Sequence, residues 1–342
     1  MAYTWTTCSS LPAARRVSTI GIINGWLYCA GGYAGATSGT ITAVTYKAQI
    51  QSNGSLGAWS TTANIQNMSH IDTFRAGNWS AAANGYLFSL AGSNNIGNGV
   101  GYAYVQQLSS VTGELNAGWT FPTGSGPAGM SSVGMGLILD GSSLWRTGGF
   151  ATNPYNRTIY AAWVGDTIYS EAGTMPSGRR FHTMVKNGNY HYVIGGEKYV
   201  GTGTSFGMSN EVLVATPGGS WSDYTTTTPL PENSYCGGAY SINGTLFVVV
   251  GATSTSNAYS SNVYRATLGA NGTVTAWTFD SSIGESRNNF GMPVVYNGRA
   301  YIVGGESSTT TGTTTVTCSN IYPPRAPITS LRPLGFNDGI GY

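Results

Sequence analysis

The chain has 342 residues, a formal net charge of +2 and only 8% charged residues. So weak a net charge excludes a general electrostatic attraction to nucleic acid or to an anionic membrane. No apolar run approaches the roughly 20 residues that a membrane-spanning helix needs, and the longest candidate is Leu246–Val250. Because 41% of the residues are hydrophobic and 12% are aromatic, the chain can bury a core despite its 50 glycines, which argues against a disordered protein.

One short phrase occurs six times along the chain. It consists of Asn-Gly or Asp-Gly, a short aromatic and aliphatic segment, and a closing pair of small residues that is usually Gly-Gly. The copies begin at Asn24, Asn84, Asp140, Asn187, Asn243 and Asn297, and their closing pairs begin at Gly31, Ala91, Gly148, Gly195, Gly251 and Gly304. Successive closing pairs are 60, 57, 47, 56 and 53 residues apart. A nearly fixed period of this size indicates a repeat architecture.

Each copy of the phrase predicts a β-hairpin. Asn-Gly and Asp-Gly supply the two positive-φ residues of a type I′ turn, whose twist matches that of the flanking strands. The strand after the turn is aromatic and aliphatic, which is typical of a buried sheet. The closing glycines let two backbones approach where a Cβ would clash, or adopt a conformation that other residues avoid.

A double glycine after a hydrophobic strand, at this spacing, resembles the kelch repeat, in which each repeat forms one four-stranded propeller blade. A tryptophan recurs at the matching place in four copies, at Trp59, Trp119, Trp221 and Trp277, whereas the third copy has Ile168-Tyr169 there. The resemblance covers almost the whole chain. It implies an all-β, six-bladed propeller like the central domain of galactose oxidase, built as one domain over residues 1–324.

The first residues match the end of a repeat rather than its beginning. Tyr3–Thr7 resembles the outer strand around Trp277, and the sixth repeat has no outer strand of its own. We therefore expect residues 2–7 to complete blade six and to close the ring. The same alignment puts Cys8 nearly opposite Cys318, so these residues form either a disulfide bond or two free buried thiols in a reducing compartment. Cys29 and Cys236 are expected in the core.

Strand alternation sorts the connections onto two faces. The tight turns lie on one face, and the longer segments after each double glycine, residues 33–40, 93–101, 150–157, 197–209, 253–261 and 306–314, lie on the other, which we call the loop face. Arginines that begin inner strands near the channel mouth on this face are Arg15, Arg75, Arg179 and Arg287. Their guanidiniums could converge on a carboxylate or an acidic sugar, as in kelch-like sialic acid epimerases. Alternatively, they pair with loop carbonyls between blades.

Aromatic side chains on the loop face could stack on sugar rings. The candidates are Tyr33, Phe150, Tyr155, Tyr199 and Tyr259. A second candidate surface is the tail, residues 325–342, which has neither the repeat phrase nor a helical period. Its apolar residues, Leu331, Leu334, Phe336, Ile340 and Tyr342, favour an arm that docks on a neighbouring protein. The alternative is a tail that lies over its own ring or is disordered.

The sequence contains no recognisable catalytic or metal-binding motif. Its three histidines, His70, His182 and His191, have no metal-ligand spacing with a cysteine or with one another, and a copper site like that of galactose oxidase would need two histidines and a cysteine-modified tyrosine. The glycine-rich segments are not followed by a helix, as a phosphate loop would be. We therefore predict no cofactor, no metal and no enzymatic activity.

Composition and repeat together favour a non-enzymatic interaction module in an extracellular particle. The near absence of charge, the surface rich in Ser, Thr, Gly and Asn, and the apolar tail suit a bacteriophage virion protein of the tail, fibre or capsid decoration. The N-terminal residues lack the basic start and apolar middle of a secretion signal, so release by lysis is expected. The predicted partners are other virion or surface proteins through the tail, and a host glycan or receptor through the loop face. The alternatives are a free secreted lectin and a carbohydrate-active, epimerase-like kelch enzyme.

Overall fold

The structure, a computed structural model, is dominated by short antiparallel strands. It describes residues 3–34, 40–64, 80–83, 85–89, 103–106, 111–116, 133–141, 143–150, 158–163, 170–201, 206–216, 224–254, 258–290, 292–307 and 312–320. Within these ranges the only helix is a single 3₁₀ turn, Ala270–Gly272. The prediction of an all-β protein is therefore confirmed. Among the same residues, no helix has the length and apolar character that a membrane crossing requires.

The strands are numbered here along the chain. They are β1 (Trp5–Thr7), β2 (Arg15–Arg16), β3 (Thr19–Ile23), β4 (Trp26–Ala30), β5 (Tyr33–Ala34), β6 (Thr40–Ile41), β7 (Thr45–Gln49), β8 (Ser60–Thr62), β9 (Ser80–Ala83), β10 (Tyr86–Ser89), β11 (Ala103–Gln106), β12 (Val133–Asp140), β13 (Ser143–Phe150), β14 (Thr158–Trp163), β15 (Ser170–Thr174), β16 (Arg179–Arg180), β17 (Thr183–Asn187), β18 (Tyr190–Ile194), β19 (Glu197–Tyr199), β20 (Phe206–Met208), β21 (Val212–Ala215), β22 (Thr225–Thr227), β23 (Gly238–Ile242), β24 (Thr245–Val249), β25 (Asn262–Leu268), β26 (Val274–Ser282), β27 (Val294–Tyr296), β28 (Arg299–Val303) and β29 (Val316–Ser319).

Most of these strands belong to a series of similar antiparallel sheets, in which neighbours in the chain are neighbours in the sheet. Within the described part of the chain they are sheet 1 (β3-β4-β7-β8), sheet 2 (β9-β10-β11), sheet 3 (β12-β13-β14-β15), sheet 4 (β17-β18-β21-β22), sheet 5 (β23-β24-β25-β26) and sheet 6 (β27-β28-β29-β1). Two small sheets, β2-β5-β6 and β16-β19-β20, add short ladders at the arginine pairs. Sheet 6 takes its outer strand from the other end of the chain, because β1 pairs with β29 from Trp5 opposite Ser319 to Thr7 opposite Thr317.

The hairpins take two forms. At Asn24-Gly25, Asn243-Gly244 and Asn297-Gly298 both residues have positive φ, as the predicted type I′ turn requires. At Asn187-Gly188 the prediction is wrong, because Asn187 is the last residue of its strand and pairs with Tyr190. Gly188 then becomes the first central residue of the turn, with φ of 60°. That arrangement is typical of a type II′ turn, and the hairpin after Asp140 has the same register.

The core lies between neighbouring sheets. One buried cluster joins Leu27 of sheet 1 to Tyr301 of sheet 6, and another joins Phe247 of sheet 5 to Ile302 of sheet 6. The first strands of the sheets also contact one another in the order β3, β9, β12, β17, β23 and β27, and β27 contacts β3. Among the described residues, buried apolar clusters therefore lie between sheets 1 and 6, 3 and 4, 4 and 5, and 5 and 6.

Candidate functional site

The arginines that the sequence placed at the starts of inner strands lie ahead of those strands. Arg15 and Arg179 are in the short strands β2 and β16, Arg287 precedes β27, and all three are turned into the protein. Arg179 is fully buried, and its Nη1 donates a hydrogen bond to the Gly195 carbonyl at 2.8 Å while its Nη2 pairs with Glu211. Arg287 is fully buried too, and its Nη1 donates to the Gly304 carbonyl at 2.9 Å. In both cases the acceptor is the first residue of the double glycine in the same sequence repeat. The two arginines therefore have equivalent roles in the fourth and sixth repeats.

Arg15 is also buried, with 2% of its surface exposed, although its contacts differ. Its Nη2 donates to the Tyr46 hydroxyl at 3.1 Å, and its guanidinium lies 4.8 Å from the centre of that ring. Arg75 lies outside the described residues. The geometry of the three described arginines favours the alternative in which they bond to groups of the protein itself over the one in which they bind a ligand. One detail of that alternative is corrected, because the carbonyls contacted by Arg179 and Arg287 belong to the same sequence repeats as the arginines and not to neighbouring ones.

Burial also affects the acid-base properties of these arginines. It lowers the pKa of Arg287 to about 10, against the opposing charge of Glu285. It lowers the pKa of Arg179 as well, and Glu211 opposes that shift. For Glu211, burial would raise the pKa, but the Lys198 hydrogen bond and the Arg179 charge lower it overall. Both guanidiniums donate to internal carbonyl groups, and that of Arg179 also pairs with the carboxylate of Glu211.

The double glycines are points of close approach between neighbouring sheets. A Cβ on Gly195 would overlap the carbonyl oxygen of Ser234, and one on Gly304 would overlap that of Arg15. The second glycine of each pair donates its N–H to the same oxygen, from Gly196 to Ser234 at 2.7 Å and from Gly305 to Arg15 at 2.8 Å. Gly195 and Gly304 also have positive φ. Both reasons for glycine that the sequence offered therefore apply at once.

A set of residues that sequence reasoning missed links the sheets through backbone hydrogen bonds. Val17, Phe181, Cys236 and Asn289 all have φ between 50° and 56°, a region that non-glycine residues seldom occupy. The N–H of Val17 donates to the Asn289 carbonyl, that of Asn289 to Cys236, that of Cys236 to Phe181, and that of Phe181 to Gly134. We call these four residues, together with Gly134, the left-handed series. The sequence did contain one signal for this conformation, which is the position of the residues. Val17, Phe181 and Asn289 each lie two residues after one of the repeat arginines.

The aromatic candidates have mixed placements. Tyr33 was expected on the exposed surface, but only 7% of it is exposed, because the Arg16 guanidinium covers the ring at 5.0 Å from its centre. Tyr199 is half-buried and packs against Phe206, with ring centres 5.9 Å apart. Tyr259 is half-buried as well. The side chain of Phe150 and the whole of Tyr155 lie outside the described residues.

The two described histidines lie between sheets 3 and 4. His191 is buried, and its Nε2 is 2.9 Å from Oδ2 of Asp140, which also pairs with Lys186. Burial lowers the pKa of His191 despite the neighbouring carboxylate. His182 is buried with its Nε2 2.8 Å from the Thr147 hydroxyl, and burial and the Arg179 charge hold its pKa well below the usual value. His70 lies outside the described residues, among which no group of three or more His, Cys, Asp or Glu side chains is placed to hold a metal.

Three of the four cysteines, Cys8, Cys29 and Cys318, lie in or against the same buried cluster between sheets 1 and 6. Cys8 and Cys318 are joined by a disulfide bond, with their Cα atoms 6.1 Å apart and a sequence separation of 310. Cys29 and Cys236 are both buried, and burial raises the pKa of the Cys29 thiol to about 11. The tail residues 325–342, including Leu331, Leu334, Phe336 and Tyr342, lie outside the described residues.

A groove of about 280 Å³ lies between the outer part of sheet 6 and the segment that follows β26. We call it the seam groove. Its lining residues include Trp5, Thr7, Ile283, Glu285, Thr315 and Thr317. By strand alternation, the segment after β26 and the start of β29 belong to the loop face. The groove therefore combines an indole, a carboxylate and threonine hydroxyls, none of which the sequence had singled out for binding.

Comparisons with known proteins give a fold but no family. No protein-family model and no curated protein sequence matches the chain. Its structure matches 471 chains of solved structures, among them the structure of YjhT, with a TM-score of 0.67 and 16% sequence identity over 90% of this chain and 95% of that one. At this identity the similarity concerns the fold alone. It supports a β-propeller-like all-β fold.

Proposed function

We propose that the chain is a six-bladed, kelch-type β-propeller whose ring is closed by its N-terminal strand. Sheets 1 to 6 would be the blades, with residues 1–324 as one domain. The order of contacts between first strands supports this, because it returns from β27 to β3. The left-handed series supports it too, because the bond from Val17 to Asn289 links the beginning of the chain to its end in the same way as the other sheets are linked.

A repeated tyrosine contact gives independent support for the closed ring. The hydroxyl of Tyr28 in sheet 1 donates to the carbonyl of Gly113, which follows β11 of sheet 2, at 2.7 Å. Tyr192 in sheet 4 makes the same contact with Gly272 of sheet 5 at 2.7 Å. Tyr301 in sheet 6 makes it with Gly54 of sheet 1 at 2.9 Å. The last sheet thus meets the first as other sheets meet their successors.

We propose that this propeller is a non-enzymatic interaction module of a virion, which binds protein or glycan through its loop face. The observation that carries the proposal is the disulfide between Cys8 and Cys318, which fastens the two ends of the chain. Disulfides persist in oxidising surroundings, and a virion protein meets such surroundings once lysis has released the particle. The low charge content of the chain is also compatible with a component of an extracellular particle.

The carbohydrate-active alternative has less support from the geometry. It depended on guanidiniums available to a substrate, whereas Arg15, Arg179 and Arg287 direct hydrogen bonds into the scaffold. Docking on a neighbouring virion protein would use residues 325–342, whose apolar side chains motivate that part of the proposal.

The native size of the protein tests the virion proposal. Lysate from the source material would be sedimented, and the fractions that contain the chain would be identified by mass spectrometry. We expect it to travel with a particle far larger than its own 35.7 kDa. In the full-length chain, the double variant Leu334→Ser and Phe336→Ser should shift it to the slow fractions if the tail docks it. A wild-type protein found only as a free monomer would overturn the proposal.

A further inference from the structure

We infer that the seam groove binds a neutral sugar ring. This inference rests on the proposed interaction role of the loop face and gives it a location and a ligand class. The volume of about 280 Å³ suits a single small ring rather than an extended ligand. Pockets that hold drug-sized molecules are generally larger, at about 300–1,000 Å³.

Trp5 provides a rigid apolar surface in the groove. Its Nε1 donates a hydrogen bond to the Ser281 hydroxyl at 3.1 Å, which fixes the orientation of the indole. Tyr3 and Tyr240 pack against it, with ring centres 6.2 Å and 6.4 Å away. The indole is half-buried and still lines the groove. An aromatic ring held in place by its own neighbours binds at low entropic cost.

Glu285 provides the charged hydrogen-bond acceptor. Its side chain is 41% exposed, and its Oε2 is 3.7 Å from Nε of Arg287. That separation is too long for a hydrogen bond, so the carboxylate keeps its capacity to accept bonds from a ligand while the buried arginine attracts it electrostatically. Sugar hydroxyls are donors of the right kind, and hydrogen bonds to a charged group are stronger than those between neutral groups. Thr7, which is exposed, adds a hydroxyl on the opposite wall.

The signs of the charges select a neutral sugar over an acidic one. The ionised group that lines the groove is the Glu285 carboxylate. Arg287 lies behind it, and its Nη groups are already bonded to the Gly304 and Thr315 carbonyls and to the Thr317 hydroxyl. A carboxylate on the ligand would therefore meet a like charge without a guanidinium available to bind it.

Binding of defined sugars to the full-length oxidised protein tests the inference. The probes are the methyl glycosides of glucose, galactose, mannose and N-acetylglucosamine, with the methyl glycoside of sialic acid as the acidic comparison. Saturation-transfer NMR at millimolar sugar would give the affinities. The test variants are Glu285→Ala and Thr7→Val, which remove polar groups from the lining without emptying the core. The control is Phe279→Ala, because Phe279 is an aromatic residue of β26 that is 55% exposed and does not line the groove.

We expect at least one neutral glycoside to bind, Glu285→Ala to weaken it about tenfold or more, and Phe279→Ala to leave it unchanged. Failure of every neutral glycoside to bind, preference for the sialoside, or unchanged affinity in both test variants would each overturn the inference. The virion proposal is judged separately, because Glu285→Ala should still sediment with the particle. A Glu285→Ala variant that loses sugar binding but still sediments with the particle supports both the sugar site and the virion proposal. A wild-type protein that binds sugar as a free monomer supports the sugar site and overturns the virion proposal.

Discussion

Arg179 illustrates how a single residue can belong to the scaffold although its position suggests a ligand site. It lies beside Arg180 in the same two-residue strand, so the two side chains form a natural comparison. Arg179 is fully buried against Gly195 and Glu211. Arg180 is partly exposed and pairs with Glu197 at 2.6 Å. Their substitutions should therefore have different costs.

We predict that Arg179→Ala lowers the free energy of unfolding by about 3–5 kcal/mol, the usual result of removing one partner of a buried ion pair. The substitution also leaves the Gly195 carbonyl without its donor. Arg180→Ala should cost about 1 kcal/mol, as for a more exposed pair. Urea unfolding of the two variants measures the difference. Equal losses would contradict the scaffold role assigned to Arg179.

The buried histidines predict a dependence of stability on pH. The folded-state pKa of His182 is well below the usual value of 6.5, so on acidification the unfolded chain binds a proton before the folded one does. The stability associated with neutral His182 is fully present above pH 6.5 and is lost as pH falls below it, by up to about 1.4 kcal/mol per pH unit. His191 adds a contribution of the same sign. Asp140, whose usual pKa is 3.8 and is lowered further here, does not titrate in this window.

Unfolding free energies measured by urea at pH 7.5, 6.5 and 5.5 test this prediction. The wild-type value should fall towards pH 5.5, and His182→Gln, which can still bond the Thr147 hydroxyl, should fall less steeply. Other titrating groups affect both proteins equally, so the difference in slope isolates His182. Parallel curves for the two proteins would show that His182 is not held neutral in the folded state.

At the scale of the element, the hairpin of sheet 4 contains glycines that are required for two different reasons, a positive φ and the close approach of two sheets. Gly188, in the turn of this hairpin, has φ of 60°, and a Cβ added there would have no other atom within 4 Å. Gly195, at the end of the hairpin, has φ of 66° and lies against the Ser234 carbonyl. We predict that Gly188→Ala costs about 1–3 kcal/mol, the strain of a positive-φ turn position alone. Gly195→Ala should cost at least about 2 kcal/mol more, because it also forces the two sheets apart.

Thermal and urea unfolding of the two glycine variants provide the measurement. Both substitutions add the same methyl group at similar φ, so the turn variant serves as the control for backbone strain. If Gly195→Ala were no more costly than Gly188→Ala, the double glycine would be explained by conformation, and close approach of the sheets would not be its cause.

The elements also show what sequence could and could not predict. The turn at Asn243-Gly244 was predictable because both residues favour positive φ locally. At Asn187-Gly188 the register depended on whether the hairpin had a type I′ or a type II′ turn, and the sequence is compatible with both. The left-handed conformations of Val17 and Phe181 contradict local preference. They are imposed by hydrogen bonds to neighbouring sheets, and the signal that the sequence offers is only that each residue lies two positions after a repeat arginine.

The same division applies to the candidate site. The sequence located the repeat arginines, but the burial of Arg179 and Arg287 depends on the double-glycine carbonyls that accept their hydrogen bonds. The seam groove was not predicted, because Trp5 and Glu285 are 280 residues apart in sequence and meet only when β1 joins sheet 6. The pairing of Cys8 with Cys318 was open to prediction because both follow from the repeat alignment rather than from local chemistry.

At the scale of the whole molecule, the chain ends are joined by both covalent and hydrogen-bonded contacts. The disulfide links Cys8 to Cys318. Beside it, the N–H of Cys8 donates to the Val316 carbonyl at 2.7 Å, and Nε1 of Trp59 donates to the Ser9 carbonyl at 2.8 Å. These contacts would persist after reduction. The disulfide should therefore affect stability more than it affects the folded structure.

We predict that peptide mapping without reductant recovers Cys8 joined to Cys318. Reduction should lower the free energy of unfolding by up to about 5 kcal/mol, because the bond closes almost the whole chain and so restricts the unfolded state. The double variant Cys8→Ser and Cys318→Ser should match the reduced wild type and be insensitive to reductant. Cys29→Ala, which removes a buried thiol outside the bond, should keep the sensitivity. Free thiols at both positions in protein isolated from the particle would contradict the prediction and would remove the observation on which the virion proposal rests.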